Sequence, residues 1–167
     1  MNKLERDRLL TEAMDQYGDY LIRLAFAFVK DKTKAEDIVQ ETFIRYYITL
    51  ESFENRSSVK TYLYRITVNE CHHYFKSWTY RKTEISSFVS SLTVNKQTPE
   101  DEMLMQESKK HVAHMVDNLP IKYKEVVWLY YYAELSVNEI GDVLNCSTNT
   151  VKTRLAASNV IEGVLLY

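Results

Sequence analysis

The sequence predicts an all-α protein: two small helical domains joined by a flexible linker, the second ending in a helix-turn-helix. Three observations carry this. The 167 residues include only three Gly and two Pro, so tight turns are few and good helix formers run for long stretches. Apolar residues recur at three- and four-residue steps through most of the chain. Between two such regions the composition shifts to Ser and Thr with weak periodicity.

The first helix is expected over Leu4–Lys30, with Leu9, Leu10, Ala13, Tyr17, Leu21, Leu24, Ala25 and Phe28 in helical register. "KDKTKAED" breaks that pattern, and Thr33 can cap a second helix carrying Ile38, Val39, Phe43, Tyr46 and Tyr47. After the polar "ESFENRSS", a third helix extends from about Val59 to Trp78. These three close a bundle over residues 1–82, since helices joined by short loops bury their faces most economically against one another. Residues 83–102, including "TEISSFVSSLTVNKQ", form the linker, and the second domain occupies 103–167. Its helical pattern restarts at "TPEDE", with Thr98 as N-cap, Pro99 at the first helical position and acids where the helix dipole favours them. A helix through Met115 follows, and Pro120 then opens another through "YKEVVWLYYY".

The last element is "LSVNEIGDVLNCSTNTVKTRL". Val137, Ile140 and Leu144 line one face of a short helix, and Asn145 suits the left-handed backbone just past a helix end. Cys146 is small enough to tuck into the turn, and Ser147 is a good N-cap for a helix with Val151 and Leu155 on its inner side. Gly141 sits where close backbone approach is needed. The pattern reads as a helix-turn-helix presenting Asn149, Lys152 and Thr153 outward. The competing reading is an ordinary helical hairpin in a core.

A net charge of −2 argues against an indiscriminate nucleic-acid binder, but the charge is unevenly placed. Between Arg56 and Lys82, six basic residues stand against a single acid, Glu70, interleaved with Tyr62, Tyr64, Tyr74, Phe75, Trp78 and Tyr80. Such a stretch suits a nucleic-acid strand, with phosphates on the cations and bases on the rings; the alternative is a solvated face with its aromatics in the core. Cys71 and Cys146 are far apart, no signal peptide pattern opens the sequence, and no apolar run reaches spanning length, so a cytoplasmic setting with free thiols is expected. No phosphate loop or nucleophile motif is present, and His72–His73 beside Cys71 and His111 with His114 lack zinc-site spacing. The expectation is a non-enzyme with no cofactor and no metal.

"AEDIVQETFIRYY" turns Ala35, Ile38, Val39, Thr42 and Phe43 inward and leaves Asp37, Gln40 and Glu41 outward. With "TYLYRITVNE", "LPIKYKEVVWLYYY" and the terminal corner, the chain resembles an extracytoplasmic-function (ECF) sigma factor of bacterial RNA polymerase from about Tyr17 to Leu155. The resemblance implies a region 2-like first domain that binds the polymerase clamp helices and opens the −10 element. It implies a region 4-like second domain on the polymerase flap that reads the −35 element. By position, Asp37, Gln40 and Glu41 match clamp-docking residues, and their acidic character suits a basic partner. Asn69 matches a −10-reading asparagine, with Arg65, His73 and Lys76 nearby. Phe53, Asn55, Arg56 and Ser57 correspond to the loop that captures a base flipped from the melted strand. In the recognition helix, Asn149, Lys152 and Thr153 are expected to face bases and Thr148 and Arg154 to hold phosphates. The resemblance also implies an anti-sigma factor, itself membrane-linked, that masks both domains; the chain itself is not expected to be a membrane protein.

Several departures stand out. Glu54-Asn55-Arg56-Ser57 occupies the place of an Arg-Gly-Asp-Ser-like run, and Tyr62 replaces the usual tryptophan. Glu134 stands where a helix-ending glycine is common, and Ala157 and Asn159 fall where basic residues usually continue the recognition helix. Apolar Val160, Ile161, Val164, Leu165 and Leu166 could instead pack on the flap, on an inhibitor or in the domain core. The alternative of a stand-alone helix-turn-helix regulator explains residues 120–155 but gives no role to the acidic face or the basic aromatic helix. A helical scaffold binding only proteins would be favoured if the basic face were buried.

Overall fold

The computed structural model describes residues 1–53, 56–85 (side chains through 77) and 116–162 (side chains through 159). Every regular element among them is helical: α1 (Lys3–Val29), α2 (Lys32–Thr49), α3 (Val59–Ile85), α4 (Ile121–Val127), α5 (Val137–Leu144) and α6 (Thr148–Glu162). The expected restart at Thr98–Pro99 and the helix through Met115 lie outside the described residues, as does the linker beyond Ile85.

Local chemistry sets the ends of α1 and α2. Asn2 caps α1 by accepting the Glu5 N–H at 2.8 Å, and Lys30 ends it in the left-handed region at φ 56°. Asp31, rather than Thr33, caps α2, its carboxylate accepting the Lys34 N–H at 3.1 Å. A full negative charge at the positive end of the helix dipole outbids a hydroxyl two residues later. α3 runs seven residues past the expected end at Trp78, because neither Gly nor Pro intervenes to stop it.

α1, α2 and α3 pack on one another around Leu21, Leu24, Phe28, Val39, Phe43, Leu63 and Val68. Inside this bundle, Thr42 and Thr67 are fully buried with their hydroxyl oxygens 3.1 Å apart, each also 2.9 Å from its own i−4 carbonyl, that of Ile38 or Leu63.

The helix opened by Pro120 is not α throughout. After Val127 it widens into a π turn over Trp128–Tyr132, closed by the Ala133 N–H on the Trp128 carbonyl at 3.0 Å. The wider turn keeps Leu129 fully buried while Tyr130 and Tyr131 stay exposed, their rings edge-on at 4.9 Å. Glu134 follows at φ 55°, in the left-handed conformation that a glycine would hold without strain. Ser136 and Glu139 then form a reciprocal capping box at the start of α5.

The corner between α5 and α6 forms as the sequence predicts. Asn145 adopts φ 53°, the Cys146 N–H bonds the Gly141 carbonyl at 3.0 Å, and Ser147 accepts the Thr150 N–H at 3.2 Å. A Cβ on Gly141 would stand 2.9 Å from the Cys146 carbonyl oxygen, so the close approach is real. Cys146 is half-buried. The buried residues of the α1–α3 bundle and of α4–α6 join in one apolar cluster, with α3 packed against α5.

Candidate nucleic-acid interface

On α2, Asp37 and Gln40 are exposed and Glu41 is half-buried, on the side away from Ile38, Val39, Thr42 and Phe43. Glu41 is not a free anion: its carboxylate accepts from Arg45 Nε at 2.9 Å, and Arg45 Nη2 lies 3.1 Å from Glu70 on α3. The acidic face is thereby braced against the next helix. Beside it, Val39, Phe43, Ile44 and Ile48 of α2 and Leu10, Met14 and Ile22 of α1 line an apolar groove.

In the loop before α3, Phe53 is half-buried with its ring 5.1 Å from that of Tyr62, whose hydroxyl pairs with Thr49 Oγ1 at 2.8 Å. The tyrosine in the tryptophan position thus gains a polar anchor. Asn55 and Glu54 lie outside the described residues; Arg56 is exposed and Ser57 half-buried. Of the aromatics in the basic stretch, Tyr64 packs inward fully and Tyr62, Tyr74 and Phe75 in part, while the side chains of Trp78 and Tyr80 lie outside the described residues. Burial pushes the Tyr64 phenol up to about 12 and the Cys71 thiol likewise to about 12, so neither ionises near neutrality. The outward groups are Asn69, His73 and Lys76, with Arg65 partly covered.

What covers Arg65 is the helix-turn-helix. Its Nε donates to the Asp142 carbonyl at 3.0 Å, and Arg65 and Asn69 line a polar cleft of about 650 Å³ with Gly141, Asp142, Asn145, Cys146 and Ser147. On α6, Asn149, Lys152 and Thr153 are exposed and Thr148 is half-buried, opposite the fully buried Val151. Thr153 spends its hydroxyl proton on the Asn149 carbonyl at 2.8 Å and so offers an acceptor. Arg154 leans back, its Nη1 3.6 Å from Glu125. The side chains of Val160, Ile161, Val164, Leu165 and Leu166 lie outside the described residues.

Sequence reasoning missed Glu125. It is buried on α4, with one carboxylate oxygen facing Arg154 and the other 2.6 Å from His72 Nε2 on α3. It also missed Lys30, whose ammonium sits 2.7 Å from Asp117. An acid between buried Lys124 and Val126 on a helix's inner face was the available signal, but its partners are 29 and 53 residues away.

The model for Sigma-70 region 2 matches residues 13–80, and that for Sigma-70, region 4 matches 110–158. The ECF RNA polymerase sigma factor SigW of Bacillus subtilis is 33% identical over 152 residues, covering 86% of this chain and 81% of that protein. The chain belongs to the ECF sigma factors of bacterial RNA polymerase. B. subtilis SigM is 31% identical over 147 residues, covering 87% of this sigma factor and 88% of SigM. The fold is shared with CnrH solved in complex with the cytosolic domain of CnrY, at TM-score 0.69 and 21% identity over 96% of this chain and 88% of that one. RpoE of Bartonella quintana, solved with the anti-sigma factor NepR, also gives TM-score 0.69, at 19% identity over 91% and 92% of the two chains. As a sigma factor the protein is not an enzyme: it binds core RNA polymerase and directs it to promoter DNA for initiation, and the stand-alone regulator is not favoured. Among the described residues no helix is long and apolar enough to cross a membrane.

Proposed function

We propose that this sigma factor divides its work over three surfaces. Asp37, Gln40 and Glu41 dock the clamp helices; Phe53, Asn55, Arg56, Ser57, Arg65, Asn69, His73 and Lys76 open and read the −10 element; Thr148, Asn149, Lys152, Thr153 and Arg154 take the −35 element, with the flap beneath the second domain. The observation that carries this reading is the outward set on each helix: acids on α2, an amide and cations on α3, and Asn149, Lys152 and Thr153 on α6. The domains run 1–82 and 103–167 about a linker at 83–102, and the protein works in the cytoplasm. An anti-sigma partner is supported by the shared fold with RpoE, which was solved with the anti-sigma factor NepR.

The test is reconstitution. Core polymerase with this chain should give run-off transcripts from specific start sites, which map its promoters. Asn69→Ala should then lower initiation and relax preference at one −10 position, because a base-edge contact contributes about 1–3 kcal/mol. A template supplied already melted removes much of the flipping cost. Neutrality on both duplex and melted templates would remove Asn69 from the reading surface.

A further inference from the structure

We propose that Arg6 is a positioning residue for strand opening: through Glu51 it fixes the backbone from which Phe53 meets the melted strand. The proposal rests on the assignment of Phe53 to the base-capturing loop. The match to Sigma-70 region 2 begins at residue 13, whereas α1 starts at Lys3. The leading turns of α1 therefore lie outside the matched stretch, and two consecutive residues there, Arg6 and Asp7, reach the end of another helix. α1 and α2 are joined by Lys30 and Asp31 alone and pack side by side, so the start of α1 stands beside the end of α2.

The contacts run in series from α1 to the loop. Asp7 Oδ1 accepts from the Tyr47 hydroxyl at 2.8 Å, and the guanidinium carbon of Arg6 lies 5.3 Å from the centre of the Tyr47 ring. Tyr47, held by its hydroxyl, offers the cation a fixed aromatic face. From there Arg6 Nη1 stands 3.3 Å from the Glu51 carboxylate. Glu51 belongs to a single 3-10 turn, Leu50–Ser52, and Phe53 follows directly. Buried Leu50 anchors that turn in the core, and Tyr62 of α3 holds Phe53 at a ring separation of 5.1 Å. Arg6 adds the restraint from the α1 side. Global stability is a poor account of this pair. The Glu51 side chain is 58% exposed, which leaves an ion pair little net worth, and Arg6 Nε is buried without a hydrogen-bond partner. On a turn of three residues the same small attraction acts locally, by narrowing the positions open to Phe53.

The test uses the holoenzyme, core polymerase with the full chain, on a promoter mapped by run-off. Aminopurine or pyrrolocytosine placed at −10 positions in turn reports base unstacking by fluorescence. Arg6→Gln and Glu51→Gln should each lower the equilibrium constant for unstacking at one position by about two- to five-fold, the range open to a partly exposed ion pair. The two together should lose no more than either alone, because they break one interaction. Core affinity in a pull-down titration should not change, since neither residue belongs to the docking set. Unchanged unstacking in both variants overturns the proposal. So do additive losses, which would mean that the residues act apart, and a loss matched by weaker core binding, which would place the pair in docking. Phe53→Ala separates the brace from the reading beneath it. If it lowers unstacking while the Gln variants do not, the brace alone falls; if none of the three has an effect, the assignment of the loop falls and the proposal with it.

Discussion

Gly141→Ala sets two effects of opposite sign against each other. In an unconstrained helix, alanine would stabilise α5 by about 1 kcal/mol relative to glycine. Here the new Cβ would meet the Cys146 carbonyl oxygen at 2.9 Å, closer than carbon and oxygen tolerate. That oxygen is not the end of a mobile side chain. The Cys146 N–H is bonded to Gly141's own carbonyl at 3.0 Å, so the clash falls on a residue that the turn's hydrogen bond holds in place. Relieving it requires Cys146 to move by several tenths of an ångström, at an overpacking cost of about 1–3 kcal/mol. The expected net effect is a loss of about 1 kcal/mol, with α6 re-aimed by the shifted turn. Urea unfolding followed by circular dichroism reads the first effect and −35 duplex binding the second. A variant stabilised by about 1 kcal/mol with unaltered duplex binding would refute the reasoning, because the turn would then yield freely.

Glu134→Gly should raise stability by about 0.5–1 kcal/mol, since φ 55° strains a side chain by about 1–2 kcal/mol and glycine returns part of that as chain entropy; a lower urea midpoint would contradict it. Asp37→Lys should weaken core polymerase binding in a pull-down titration with stability unchanged within about 0.5 kcal/mol, whereas Glu41→Lys should also lose a few tenths of a kcal/mol by facing Arg45 with a like charge. Equal core affinity would remove both residues from the docking face. Cys71 and Tyr64 keep their protons when folded up to about pH 12, while the unfolded chain releases them from its ordinary values of 9.0 and 10.0. The folded state binds more protons in that window, so stability should hold below about pH 9 and fall as the pH rises toward 12. Urea midpoints at pH 7, 9 and 10.5 test the sign, and a rise would reverse it. Ala157→Arg with Asn159→Arg should steepen the log–log salt dependence of −35 duplex binding by about 0.9 per new phosphate contact; an unchanged slope would mean this stretch of α6 faces away from DNA.

What the sequence made legible was what neighbours in the chain decide. Asn145, Ser147 and Gly141 dictate the α5–α6 corner through a left-handed residue, a cap and a missing side chain, all within seven positions. The outward set on α2 follows from helical periodicity alone. Where two local effects competed, the reading slipped: Asp31 displaced Thr33 because a charge outweighs a hydroxyl at the helix start. The π turn at Trp128–Tyr132 was hidden because five bulky residues fit either helix in isolation, and burial of Leu129 decides between them. Glu125 and its partners could not be read at all, since nothing local says that His72 and Arg154 will meet at one carboxylate.

The two buried threonines bear on how force passes through the molecule. Two hydroxyl protons face three short contacts, those of Thr42 with the Ile38 carbonyl, Thr67 with the Leu63 carbonyl, and Thr42 with Thr67. One contact is therefore always without a proton, and the protons can exchange roles without any heavy atom moving. Sliding α2 along α3 by a single residue, about 1.5 Å, would part the hydroxyls and press each against the apolar interior. The pair acts as an axial lock between the helix proposed to grip polymerase and the helix proposed to hold the melted strand. While that contact is kept the two helices resist sliding past one another, so a displacement of one is expected to be carried to the other.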